Sequence, residues 1–152
     1  MKTLLSILFL FFATYGYSQS EKLFTVDREL SNSNINQIYQ AKDGVIWIAT
    51  DDGLNRYDGA KFSIYKHKEG NDSSLVDNNV RTLFEDSKGH FLVGTQRGLQ
   101  LYNPATDLFK EIPIFYQTGE NMSAHISTIL ERKNGDLLIG TSGHGVYSLK
   151  LE

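Results

Sequence analysis

The side chains with the most chemical reach in this chain follow three threonines. Asp51-Asp52 comes after Thr50, Gln96-Arg97 after Thr95, and Ser142 and His144 after Thr141. Carboxylate, amide, guanidinium, hydroxyl and imidazole groups suit the orientation of a polar ligand by hydrogen bonding. An acidic pair suggests metal or acid–base chemistry as well, but the surrounding sequence supports neither. A calcium loop needs several oxygen ligands at alternating spacing, and Asp51-Asp52-Gly53 alone does not supply them. Glycosidase carboxylates converge across a cleft, about 5–9.5 Å apart, and nothing in the sequence marks such a pair. Asp beside Gly often caps a turn through its own backbone hydrogen bonds, which is the plain reading of Asp51-Asp52. His67, His90, His125 and His144 lack metal-ligand spacing. Cysteine is absent, which removes thiolate nucleophiles, disulfides and Cys-ligated zinc. No catalytic residue, metal or cofactor is expected, and the chain reads as a binding module rather than an enzyme.

The elements that must hold these residues recur. Gly44, Gly89 and Gly135 lie 45 and 46 residues apart; Thr50, Thr95 and Thr141 keep that spacing, as do Ile35, Val80 and Ile126. A period in the mid-forties is that of a four-stranded propeller blade. The short runs "VIWIAT", "FLVGT" and "LLIGT" are apolar and β-rich. Each is preceded by a turn pair, Asp43-Gly44, Lys88-Gly89 or Asn134-Gly135, expected to form two-residue hairpin turns. Each is followed by Gly53, Gly98 or Gly145 and then by a strand with an aromatic, Tyr57, Tyr102 or Tyr147. A further turn leads to a fourth strand, "KFSIY" or "LFKEI". The first strands, "INQIYQ", "VRTLFE" and "ISTILE", place apolar residues at helical spacing. Six residues before a hairpin are too few for a helix, so these read as innermost strands packed on both faces by neighbouring blades. Trp47, mid-strand and matched by Leu92 and Leu138, reads as core. The fold class is all-β: propeller blades of four antiparallel strands, about three of them, in an incomplete propeller.

The composition agrees with a globular chain. Of 152 residues, 40% are apolar, and the net charge of −3 gives no basic surface for nucleic acid. "MKTLLSILFLFFATYGYSQS" carries Lys2, then a mostly apolar run from Leu4 to Ala13. That run is too short to span about 30 Å of hydrocarbon. Gly16 and Ser18 stand at −3 and −1 for cleavage before Gln19, so residues 1–18 read as a secretory signal peptide. A periplasmic or secreted location follows, with no membrane span in the mature chain. Residues 19–34 form a lead-in whose Phe24–Val26 stretch is expected to supply a ring-closing strand. Repeat 1 covers 35–79, repeat 2 covers 80–125, and repeat 3, 126–152, stops after its third strand. Closed propellers have about 4–8 blades, so the expectation is a fragment of a longer protein or a chain that self-associates.

Ile35 to Asp58 and Asp72 to Pro104 resemble the two-component regulator propeller repeat. The resemblance rests on Gly44, Trp47, Thr50 and Gly53 with their later counterparts, and it extends from Lys22 to about Leu149. Leu92 and Leu138 depart from the family's Trp, Ala49 from its Gly, and the third rim turn is one residue longer. The resemblance implies the periplasmic sensor region of a hybrid two-component histidine kinase, responsive in many relatives to oligosaccharides. The kinase itself would lie in regions these residues lack. Alternating strand direction puts the second-to-third turns and the inter-blade linkers on one rim. Asp51, Asp52, Gln96, Arg97, Ser142 and His144 are the candidate ligand-binding residues there. The remaining readings are a secreted repeat protein that assembles with its own copies, and a fragment of a propeller lyase or hydrolase.

Overall fold

In the computed structural model the described residues are 22–25, 29–115 and 119–151. The signal peptide expected over 1–18, and Val26, lie outside them. Blade 1 is β1 (Ile35–Gln40), β2 (Ile46–Thr50), β3 (Gly53–Tyr57) and β4 (Phe62–Tyr65). Blade 2 is β5 (Val80–Glu85), β6 (Phe91–Thr95), β7 (Leu99–Asn103) and β8 (Leu108–Ile112). Blade 3 is β9 (Ile126–Glu131), β10 (Leu137–Thr141) and β11 (Val146–Leu149). Each is an antiparallel sheet with strands in chain order. The first strands touch one another, β1 against β5 and β5 against β9.

The lost alternation of the first strands has a second cause besides packing on both faces. Pairing skips one residue in every blade: Ile35 and Gln37 pair with Thr50 and Ala49, Val80 and Thr82 with Thr95 and Gly94, Ile126 and Thr128 with Thr141 and Gly140. Asn36, Arg81 and Ser127 are therefore bulged. A bulge shifts the two-residue side-chain alternation by one and re-aims a side chain. Ile35 and Ile38, three apart, thereby share the β-strand face that a two-residue period would deny them.

The first hairpin turns are three residues long, not two. Gly44 N–H donates to Ala41 O and Ala41 N–H to Val45 O; Asp86 to His90 and Arg132 to Asp136 repeat the arrangement. Only the glycine takes positive φ, 87° at Gly44, 90° at Gly89 and 84° at Gly135. This is a type I turn closed by a glycine bulge, and it leaves the preceding position free to be Asp, Lys or Asn.

Two cores fill the seams between blades. The first joins Trp47, Ala49, Leu54, Leu75, Val80, Leu83, Phe91, Val93, Tyr102 and Phe109. The second joins Leu92, Leu99, Ile114, Met122, Ala124, Ile126, Ile129, Leu137 and Ile139. Close approach explains the Gly-Thr pair at the end of β6. A Cβ on Gly94 would meet Thr82 Cγ2 at 2.6 Å and Ile126 Cγ2 of the next blade at 2.7 Å. In blade 1 Gln37 stands in place of Thr82 and extends to blade 2, and Ala49 is accommodated there, fully buried. At the two ends the equivalent apolar faces are open. Ile38 is 65% exposed where Leu83 is 2%, and Val146 is 68% exposed where Leu54 and Leu99 are 0%. Phe24 packs on Tyr57 and Phe62 of blade 1, with ring centroids 5.3 and 5.1 Å away.

Candidate functional site

The three rim turns share one construction. The threonine hydroxyl that ends the second strand donates to the carbonyl of the glycine opening the third: Thr50 to Gly53 at 2.7 Å, Thr95 to Gly98 at 3.0 Å, Thr141 to Gly145 at 2.8 Å. The longer third turn keeps the bond. The Thr50 and Thr95 hydroxyls also accept N–H groups within their turns, Asp52 at 3.2 Å and Arg97 at 3.2 Å. Threonine, rather than the acidic pair, caps the turn at Asp51-Asp52. The residue after each threonine is fastened to the segment preceding its blade. Asp51 N–H donates to Asn34 O, Gln96 to Asn79 O and Ser142 to His125 O, the last two at 2.9 Å. The rim turns and the linkers thus lie together on one rim, with the side chains after each threonine carried on a fixed backbone.

Asp51 is the most engaged of the six candidate residues. Its carboxylate accepts from Asn34 Nδ2 and Asn36 Nδ2, each at 3.0 Å, and from Asn79 Nδ2 at 3.4 Å. Arg81 Nη1 lies 3.6 Å away. Asn36 also donates to Val80 O at 2.8 Å, so this cluster spans blades 1 and 2. Asn36 and Arg81 are the bulged residues of their strands, and the bulges aim them at Asp51. The Asn36 and Asn34 amides, with the Arg81 guanidinium, hold the Asp51 carboxyl below its ordinary value of 3.8. Within the cluster Asn79 Oδ1 and Arg81 Nε are buried with no hydrogen-bond partner among the described residues. Asp52 points elsewhere and pairs with Lys66 Nζ at 2.6 Å. Arg97 offers its carbonyl to Ser123 Oγ at 3.1 Å. His144 stands exposed in the third turn. Asn34, Asn36, Asn79 and Arg81 were not singled out from the sequence. The signal was available, since Asn34 and Asn79 are one period apart, as are Asn36 and Arg81. Among the described residues no group of three or more His, Cys, Asp and Glu is arranged to hold a metal ion.

The two-component regulator propeller profile matches residues 29–52 and 74–97. Each match runs from the linker before a blade, through its bulged first strand, to the acidic or Gln-Arg rim turn. Residues 29–52 and 74–97 are thus similar to the two-component regulator propeller repeat. A histidine kinase of Formosa agariphila, named histidine kinase P4, is 38% identical over 73 residues, 45% of this chain and 5% of that protein. The extracellular domain of a hybrid two-component system from B. thetaiotaomicron is 30% identical, with a TM-score of 0.67 over 84% of this chain and 17% of that one. Virginiamycin B lyase from Staphylococcus aureus, at 17% identity and a TM-score of 0.54 over 81% of this chain and 44% of that one, shares the fold alone. The chain therefore spans a small part of the two-component relatives it matches.

Beyond the matched segments, one buried third-strand position anchors the linker in blades 1 and 2. Asn55 Oδ1 accepts Ser31 N–H at 2.8 Å, and its amide donates to Ile48 O at 3.1 Å. Gln100, 1% exposed, accepts Val76 N–H at 2.8 Å and donates to Ser74 O at 2.9 Å. In blade 3 the place belongs to Tyr147, whose hydroxyl meets Met122 Sδ at 3.7 Å. Strand register decides this: Asn55 pairs with Ile48, Gln100 with Val93 and Tyr147 with Ile139. Tyr147 is thus not the counterpart of Tyr57 and Tyr102. That place falls to Leu149, because the third rim turn has one residue more. Trp47 lies in the first seam, 3% exposed and stacked 4.7 Å from Phe91. Farther out, Asp107, at φ 59°, accepts from the hydroxyls of Tyr65 at 2.6 Å and Tyr102 at 2.7 Å. Burial, then the bond to Asp107, pushes the Tyr65 phenol well up.

Proposed function

We propose that this chain is the N-terminal part of an extracytoplasmic sensor propeller of a two-component system. Its rim turns take part in recognising a polar ligand, an oligosaccharide, and it acts by binding rather than by catalysis. One observation carries the reading. Three turns are built on the same hydroxyl and backbone bonds, yet present different side chains: Asp51-Asp52, Gln96-Arg97, and Ser142 with His144. Loops on a rigid scaffold are where binding residues concentrate. The extracellular relatives support the location, and among the described residues no helix is long and apolar enough to cross a membrane. The test is calorimetric titration of the chain with neutral and acidic oligosaccharides. Binding that weakens about tenfold in Asp52→Ala or Arg97→Ala, with unchanged melting, supports the rim reading. Affinity that is indifferent to both substitutions contradicts it. Turnover of any polysaccharide contradicts the non-catalytic role.

A second reading draws on the open faces. Ile35, Ile38 and Ile64 at one end, and Leu130 and Val146 at the other, are exposed. In this reading copies of the chain assemble, end face against start face, as blades 1 and 2 already pack. Sedimentation of the purified chain decides it: a concentration-independent monomer removes self-assembly.

A further inference from the structure

The seam between blades 1 and 2 holds a cavity of about 230 Å³ on the rim opposite Asp51. Two cross-strand pairs form its walls. Trp47 pairs with Arg56 in blade 1, and Phe91 with Tyr102 in blade 2. Asp43 and Glu85 also line it. The volume falls below the roughly 300–1,000 Å³ of drug-sized sites, so the occupant is smaller.

The charges in this cavity are unevenly used. Arg56 stacks over Trp47, 5.9 Å from the ring centroid; among the described residues it has no ion pair or hydrogen bond at contact distance, and its charge acts at longer range on Asp58 and Asp107. Asp43 accepts Val45 N–H at Oδ1, and its second oxygen carries no bond among those residues. Glu85 is committed to Lys42, whose N–H it accepts at 2.8 Å. The next seam shows what the frame itself needs. There Leu92 and Leu101 pair in place of Trp47 and Arg56, and Leu137 and Leu149 in place of Phe91 and Tyr102. Leucine fills those four places, so an arginine is not required for two blades to pack. A guanidinium is built for bidentate capture of a carboxylate, and it lies here beside aromatic walls and a half-free acid.

We propose that this cavity binds a small zwitterion of free amino-acid size, its carboxylate on Arg56, its ammonium on Asp43, and its side chain against Trp47 and Tyr102. The site is independent of the rim reading above. Trp47 is the only tryptophan of the chain, so its emission reports occupancy directly. The probes are glycine, alanine, leucine and glutamine, with leucinamide and N-acetyl-leucine as partners lacking one charge. At least one free amino acid is expected to shift the emission saturably at about 1 mM or below. Neither singly charged partner should match leucine. Arg56→Leu, which installs the residue of the next blade, should abolish the response in a chain that melts normally. Asp43→Asn, which keeps the turn bond, should weaken it about tenfold. The proposal fails if no probe gives a saturable change with folded protein. It fails equally if leucinamide and N-acetyl-leucine match leucine, or if Arg56→Leu binds undiminished.

Discussion

The two seams of this molecule are built on one frame and held in different ways. In the first, polar side chains of blade 1 reach the backbone of blade 2. Gln37 both donates to Leu83 O at 3.1 Å and accepts Leu83 N–H at 2.7 Å, and Asn36 donates to Val80 O. Outside that zip stands an aromatic group of Trp47, Phe91, Tyr102, Tyr65 and Phe109, with ring centroids 4.7–6.3 Å apart. In the second seam Thr82 replaces Gln37, and leucines and isoleucines replace the aromatics. One tie is common: Glu85 accepts Lys42 N–H across the first seam, and Glu131 accepts Ser87 N–H across the second. Blade packing therefore needs only apolar surface and a shared turn contact. The extra polar and aromatic groups of the first seam exceed that need, and function is best sought where a repeat exceeds its own minimum.

The largest expected effects test whether both seams carry the fold. Trp47→Ala should cost about 3–5 kcal/mol and Leu92→Ala about 2–5 kcal/mol in denaturant unfolding. Near-zero cost at either would mean that its seam does not form. Next, Gly94→Ala should destabilise by about 1–3 kcal/mol, since its methyl overlaps Thr82 and Ile126. At the matching place in blade 1, Ala49→Gly should cost about 0.5–1 kcal/mol through chain entropy. Equal costs would remove the close-approach distinction between the seams. Gln100→Ala leaves Val76 N–H and Ser74 C=O unpaired and should cost about 1–3 kcal/mol. Asp51 should give a smaller, pH-dependent effect. Its folded carboxyl is depressed, so its contribution is present above the ordinary 3.8 and fades as pH falls through the lower folded value. Asp51→Asn should flatten that acid limb of the stability profile. Last, Arg56→Leu gives up the contact with the Trp47 ring and should cost about 0.5–1 kcal/mol, the frame itself accepting leucine at Leu101.

Much of this was legible from the spacing. Three echoes of Gly, Thr and apolar runs at 45 and 46 residues imply four-stranded blades, because each landmark has one mechanical duty per blade. The bulges were not legible, since Asn36, Arg81 and Ser127 share no chemistry that marks an extra residue; only pairing reveals them. The turn length was misread because Asp-Gly and Asn-Gly serve two-residue and three-residue hairpins alike, and only φ separates them. Tyr147 was matched by type rather than by count, and the longer third turn moves it two places. The partners of Asp51 were hidden for another reason. The period matches Asn34 with Asn79 and Asn36 with Arg81, but it carries no record that Asn79 of the linker and Arg81 of the next blade reach back to Asp51. The arginine that sets the first seam apart was visible as a difference at one period, Arg56 against Leu101.

Amide hydrogen exchange at Leu83 tests the distinction between the seams most directly. Its N–H is held by the Gln37 side chain, whereas for Ile129, one period on, Thr82 stands in the place of Gln37. In the parent, Leu83 should exchange slowly, and Gln37→Ala should speed it sharply while Ile129 keeps its rate. Leu83 and Ile129 exchanging alike, before and after the substitution, would contradict a first seam tied by polar side chains.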